Sequence, residues 1–194
     1  MTRFFYALIL LCLSQAAFAI DIQPNSVYPR VQLDTSMGLI VVELDRKRAP
    51  LTVDNFLTYV VNGHYDNTLF HRVIAGFVVQ GGGLNLKQQE KPVDPPIVNE
   101  SGNGLSNTFG TIAMARSQSA HSATSQFYFN LGENKPLDPS SKRWGYAVFG
   151  EVIAGEEVLI AISNVTTEHN RKLNWPDFPI KDVILKKATL LPRK

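Results

Sequence analysis

The chain has 194 residues, 19 Lys and Arg against 17 Asp and Glu for a formal net charge of +2, and one cysteine. That length suits one domain, and so even a balance offers no strongly basic face of the kind a general nucleic-acid binder needs. A single cysteine excludes an intramolecular disulfide framework.

Taken in order, the chain begins with Arg3, an apolar run from Phe4 to Leu13, and Ala17-Phe18-Ala19. A charged start, an apolar core and a small-x-small site are the signature of a secretory signal over residues 1–19. The run is too short to span a bilayer. Its removal takes away Arg3 and Cys12, leaving 18 basic and 17 acidic residues and no thiol. The processed chain is therefore expected in the periplasm or the external medium, free of the membrane, with no thiol chemistry. Residues 20–28, with Pro24, Asn25 and Ser26, read as a short flexible lead, and residues 29–194 as the folded domain.

Residues 31–35 and 39–44 are apolar-rich runs on either side of Ser36-Met37-Gly38, which predicts a hairpin. Pro50 opens a segment with Val53, Phe56, Leu57 and Val60 at i, i+3, i+4 and i+7, and Gly63 follows as a stop, so a helix is expected there. Residues 70–83, Phe-His-Arg-Val-Ile-Ala-Gly-Phe-Val-Val-Gln-Gly-Gly-Gly, place Arg72 and Gln80 in an otherwise apolar run. A strict period of two along this run would face Arg72, Val78 and Gln80 one way and Phe77 the other, unless a bulge at Gly76 resets the facing. The guanidinium of Arg72 stays charged, so it needs water, a carboxylate or a ligand. On the residues alone, a structural ion pair across the sheet and a group held for a ligand are both open.

Residues 81–107 read as a long loop broken by Pro92, Pro95, Pro96, Gly102 and Gly104, and a connection of that length is more often functional than idle. Strands are expected over 108–115, 126–131, 146–152 and 183–191, with a short helix over 155–163. Many short strands with two amphipathic helices favour a closed or nearly closed β-barrel whose ends the helices plug.

Other chemistries lack their motifs. His64, His71, His121 and His169 show no metal-ligand spacing, Gly81-Gly82-Gly83 is not followed by the Lys-Ser/Thr of a phosphate loop, and no Gly-x-Ser-x-Gly elbow is present. A small-ligand barrel of the lipocalin type would need an open apolar lumen.

The run from Phe70 to Gly83 resembles the signature of the cyclophilins, peptidyl-prolyl isomerases that carry Phe-His-Arg-Val-Ile-Pro-Gly-Phe, two residues, then Gln-Gly-Gly; here Ala75 replaces the proline. Further blocks follow in the family's order: Ala49 to Val53, Phe109 to Ala115, Ser125-Gln126-Phe127 and Val148-Phe149-Gly150. The likeness extends over residues 29–191. It implies a mainly β fold, a closed eight-stranded antiparallel barrel capped by two helices, with the active site in a groove on the barrel's outside. It also implies a monomer, no metal or other cofactor, and proline-containing polypeptides as partners.

Carried over position by position, the resemblance assigns catalysis to Arg72, Phe77 and Gln80. It assigns substrate binding to Val78, Ala115, Arg116, Gln126, Tyr128, Leu137 and Tyr146. Arg116 stands where asparagine is usual, Pro136 where the family has a groove tryptophan, and Tyr146 where it has a histidine. The loss of that tryptophan implies weakened cyclosporin binding. A proline-binding module or chaperone with little turnover is the rival reading; Arg72 and Gln80 together are what a mere holder would not need.

Overall fold

The computed structural model describes residues 22–193; the signal expected over residues 1–19 lies outside the described residues. The chain runs β1 (Arg30–Thr35), β2 (Gly38–Leu44), α1 (Pro50–Val61), β3 (Thr68–Ile74), β4 (Val78–Asn85), β5 (Thr111–Met114), β6 (Phe127–Asn130), β7 (Val148–Ala154), α2 (Glu156–Ser163), β8 (Thr167–Asn170), β9 (Trp175–Pro179) and β10 (Ile184–Leu190). Eight strands close a barrel in the order β1-β10-β3-β4-β6-β5-β7-β2, and every pairing is antiparallel. The barrel with two helices is the architecture the resemblance implied.

Alternate residues along the strands point into the barrel, and those are apolar. Phe70, Phe127, Phe129 and Phe149 are essentially inaccessible to solvent there. Helix α1 adds Phe56, whose ring lies 5.0 Å from Tyr65, 5.5 Å from Phe127 and 5.2 Å from Phe149. Leu159 and Ile162 of α2 join the same cluster. Aromatic pairs at these separations add stabilisation beyond the area they bury. Among the described residues the interior is thus filled by side chains, which leaves no open lumen of the lipocalin type.

Helix α1 begins with Pro50, which needs no N–H partner, but it has no acidic residue in its first turn and no side-chain cap of its own. Glu100, far along the chain, supplies both: its carboxylate accepts from Leu51 N at 3.2 Å, Thr52 N at 2.8 Å and Thr52 Oγ1 at 2.7 Å. A carboxylate at a helix N-terminus also meets the positive end of the macrodipole. The long connection after β4 therefore has a structural task. It begins later than the sequence suggests, because Gly81 to Asn85 continue β4.

Two further differences concern segments of low apolar content. The lead expected to be flexible is held against the barrel over residues 22–28: Arg46 donates to the carbonyls of Ile22, Gln23 and Ser26 at 2.7, 2.6 and 2.8 Å. After α2 the chain forms an unforeseen hairpin, β8 with β9, outside the barrel. Phe178 of β9 is buried with Leu69 and Leu84, which fastens the hairpin to β3 and β4.

Candidate active site

The Phe70 to Gly83 run is a hairpin, not one strand. Phe77 N donates to Ile74 O at 3.0 Å, closing a turn in which Gly76 has φ +71°. A turn with positive φ at its third residue needs glycine there, while its second position accepts many residues besides proline. Ala75 can therefore replace the proline without loss of the turn. The parity argument along a single strand is corrected accordingly: Arg72 and Gln80 share a face because they are cross-strand partners.

The bulge is also elsewhere. Between Phe70 and Arg72 strand β3 advances two residues while β4 steps back one, from Gly81 to Gln80. This extra residue lets Phe70 enter the core while Arg72, two positions on, faces outward.

Directly opposed residues in antiparallel strands point to the same face. The register therefore draws one row across five strands: Arg72 opposite Gln80, Gln80 opposite Tyr128, Tyr128 opposite Ala113, and Ala113 opposite Val148. The neighbouring row, Val73, Val79, Phe129 and Ile112, lies in the barrel core. The first row is on the outside. Its apolar members Ala113, Tyr128 and Val148, together with Val78 of β4, form a second buried cluster, against which Phe77, Leu137, Ala115 and Tyr146 pack. An apolar cluster on the barrel's outside thus adjoins two polar side chains, Arg72 and Gln80.

Gln80 Nε2 donates to Gln126 Oε1 at 2.9 Å. Room for Gln126 comes from Gly83, where a Cβ would stand 2.6 Å from Gln126 Nε2. The glycine run is close backbone approach within β4, serving the glutamine pair. Beside it, a depression of about 300 Å³ is lined by His71, Arg72, Gln80, Glu90, Gln126, Trp175 and Pro176.

Arg72 does form an ion pair, though not across the barrel sheet. Its Nε lies 3.9 Å from Asp177 Oδ2 of β9, and both side chains are 37% exposed. Such a solvated pair leaves the guanidinium available to other acceptors. His71 is buried with its ring 5.3 Å from that of Trp175, and its Nδ1 has no hydrogen-bond partner among the described residues. Burial, aided by the positive charge of Arg72, pushes its pKa down to about 4. It is a neutral packing residue beside the groove at ordinary pH.

Arg116 turns its guanidinium toward the loop that leads into Tyr146. Its Nε donates to Gly145 O at 3.0 Å and its Nη2 to Trp144 O at 2.8 Å, with the guanidinium 4.5 Å over the Tyr146 ring. Tyr146 stands edge-on to Tyr128 at 5.9 Å and donates its N–H to Leu137 O at 2.9 Å. Arg116 thereby holds the loop that packs against the outer apolar cluster. Ala115 N donates to Gln126 O at 2.9 Å, and Pro136 is exposed on the short turn Lys135–Leu137.

Sequence reasoning missed the polar network under the pocket. Tyr128 Oη donates to Asn107 Oδ1 at 2.7 Å, Asn107 Nδ2 to Asp138 Oδ1 at 2.8 Å, and Asn134 Nδ2 to Phe77 O at 2.8 Å. Burial raises the Tyr128 pKa, so its hydroxyl remains a donor. These partners come from distant loops, and no local spacing announces them. Among the described residues there is no group of three or more His, Cys, Asp or Glu able to hold a metal, and no helix long and apolar enough to cross a membrane.

The sequence matches the family described as cyclophilin type peptidyl-prolyl cis-trans isomerase/CLD over residues 30–189. Peptidyl-prolyl cis-trans isomerase cyp18 of Streptomyces antibioticus is 48% identical over 164 residues, covering 83% of this chain and 98% of that relative. Peptidyl-prolyl cis-trans isomerase B of Escherichia coli K12 is 45% identical over 163 residues, covering 82% and 98%. Among solved structures, a Cryptosporidium parvum cyclophilin type peptidyl-prolyl cis-trans isomerase in the presence of the dipeptide Ala-Pro aligns with a TM-score of 0.69 at 25% identity, covering 84% of this chain and 99% of that one. With a family match across most of its length and relatives of this similarity, the chain belongs to the cyclophilin type peptidyl-prolyl cis-trans isomerases.

Proposed function

We propose that this isomerase turns X-Pro bonds in exported or unfolded polypeptides by electrostatic stabilisation of the twisted amide, with the proline ring held in the Phe77, Val78, Tyr128 and Leu137 pocket. The supporting observation is the register that sets Arg72 and Gln80 beside that pocket. A peptide bond resists rotation by about 18 to 20 kcal/mol because the nitrogen lone pair is delocalised into the carbonyl. Rotation localises that pair on the prolyl nitrogen. A guanidinium aimed at the nitrogen stabilises the twisted state more than either planar isomer, which lowers the barrier.

The two isomers differ by only about 0.5 to 1 kcal/mol before proline, so the catalyst need only accelerate exchange. No sigma bond breaks, so no nucleophile, metal or other cofactor enters the scheme. Gln80, braced by Gln126, fixes the substrate backbone, and Ala115 and the Arg116-held Tyr146 loop border the groove. The enzyme acts as a monomer without nucleic acid or membrane, in the periplasm or outside the cell, after cleavage behind Ala19.

The test is cis/trans exchange of a short X-Pro peptide at enzyme concentrations far below the peptide. Catalysis predicts rates linear in enzyme with many turnovers. An effect that saturates at one protein per peptide would instead identify a holder. N-terminal sequencing of the exported protein should begin at Ile20; retention of Met1 would refute the export reading.

A further inference from the structure

The β8–β9 hairpin carries an unusual backbone where it meets the groove. Asn174 and Asp177 have φ of +57° and +60°. Aspartate enters the left-handed region more readily than most residues, yet such a conformation persists only where its surroundings hold it. They do so here on both sides. Trp175 packs on buried His71, and Phe178 is buried with Leu69 and Leu84. Between these anchors, Asp177 brings its carboxylate to 3.9 Å from Arg72 Nε. No second carboxylate lies within ion-pair distance of Arg72 among the described residues.

From this we infer that Asp177 is a positioning residue for Arg72: it engages the guanidinium from the Nε edge and leaves the Nη donors for the twisted amide. The inference rests on the role given to Arg72 above and adds to it a partner from outside the barrel. An arginine side chain has several free torsions, and at 37% exposure packing alone does not select one rotamer for Arg72. A fixed carboxylate on one edge narrows that choice before substrate arrives. Because both groups are partly solvated, the effect is modest and sensitive to salt.

The experiment compares kcat and KM on an X-Pro peptide for wild type, Asp177→Asn, Asp177→Gly, Arg72→Ala and the double variant Arg72→Ala/Asp177→Asn. Asp177→Asn keeps the shape and tolerates the same φ; it should lower kcat/KM about two- to fivefold, mostly in kcat, with the gap closing at molar salt. In the Arg72→Ala background it should change nothing further. Asp177→Gly should lose the same activity while raising Tm, since glycine relieves the positive φ. A wild-type or faster rate for both Asp177 variants, or the same loss without Arg72, would overturn the inference. If Arg72→Ala alone keeps full activity, the reading of Arg72 falls too, which separates that failure from a failure of Asp177.

Discussion

His71 makes the pH dependence of stability a direct probe of the packing around Arg72. Its ring is buried under Trp175, and burial lowers its pKa from 6.5 to about 4. Between those values the unfolded chain binds the proton and the folded chain does not. Stability is therefore complete above 6.5 and is lost as pH falls, at up to about 1.4 kcal/mol per pH unit, until both states are protonated below 4. By linkage the loss is about 2 kcal/mol at pH 5 and about 3 kcal/mol in total. Urea unfolding of wild type and His71→Leu at pH 7.5 and 5.0 isolates this contribution. His64, whose pKa burial also lowers, is common to both proteins and cancels in the comparison. Wild type should lose about 2 kcal/mol more than the variant across that interval. Equal losses would show that His71 is not held neutral, and that the hairpin carrying Trp175 does not seal it from water.

Two further outcomes follow from the groove. Gly83→Ala should displace Gln126, whose Nε2 would sit 2.6 Å from the new Cβ, and break its 2.9 Å bond with Gln80. Loss of about 0.5 to 1.5 kcal/mol corresponds to a roughly 2- to 13-fold fall in kcat/KM at nearly unchanged Tm, which steady-state kinetics and thermal melts can check. Pro136→Trp, on the exposed Lys135–Leu137 turn, should strengthen cyclosporin inhibition at least several-fold by adding an indole donor and an aromatic face, while leaving peptide turnover within about twofold. An inhibitor titration showing no change would mean that position 136 does not border the ligand.

What was legible in the sequence depended on whether the signal was local. The β1–β2 hairpin and α1 announce themselves through Ser36-Met37-Gly38 and the 3.6-residue period after Pro50, and both are found where expected. The site residues were named through family blocks, but how they meet was not readable. Parity along residues 70–83 assumes one strand, whereas the turn at Gly76 and the bulge before Arg72 set the facing through pairing partners. The β8–β9 hairpin was hidden for a different reason. Thr167 to Asn170 is polar, β9 contains Pro176 and Pro179, and the hairpin is anchored to the barrel chiefly by Phe178 and Trp175. Asp177 was therefore invisible as a neighbour of Arg72, as was the Asn107 network beneath Tyr128.

The most direct test of the central claim is kcat/KM for X-Pro exchange in Arg72→Ala, measured beside circular dichroism and Tm. Arg72 is partly exposed on the barrel's outer face, so the fold should be retained. Removal of one preorganised donor should then lower kcat/KM by about 10² to 10³, or about 2.7 to 4 kcal/mol of transition-state stabilisation. A folded Arg72→Ala variant that turns over X-Pro peptides at the wild-type rate would contradict the account, and collapse of the fold would return Arg72 to a structural ion pair.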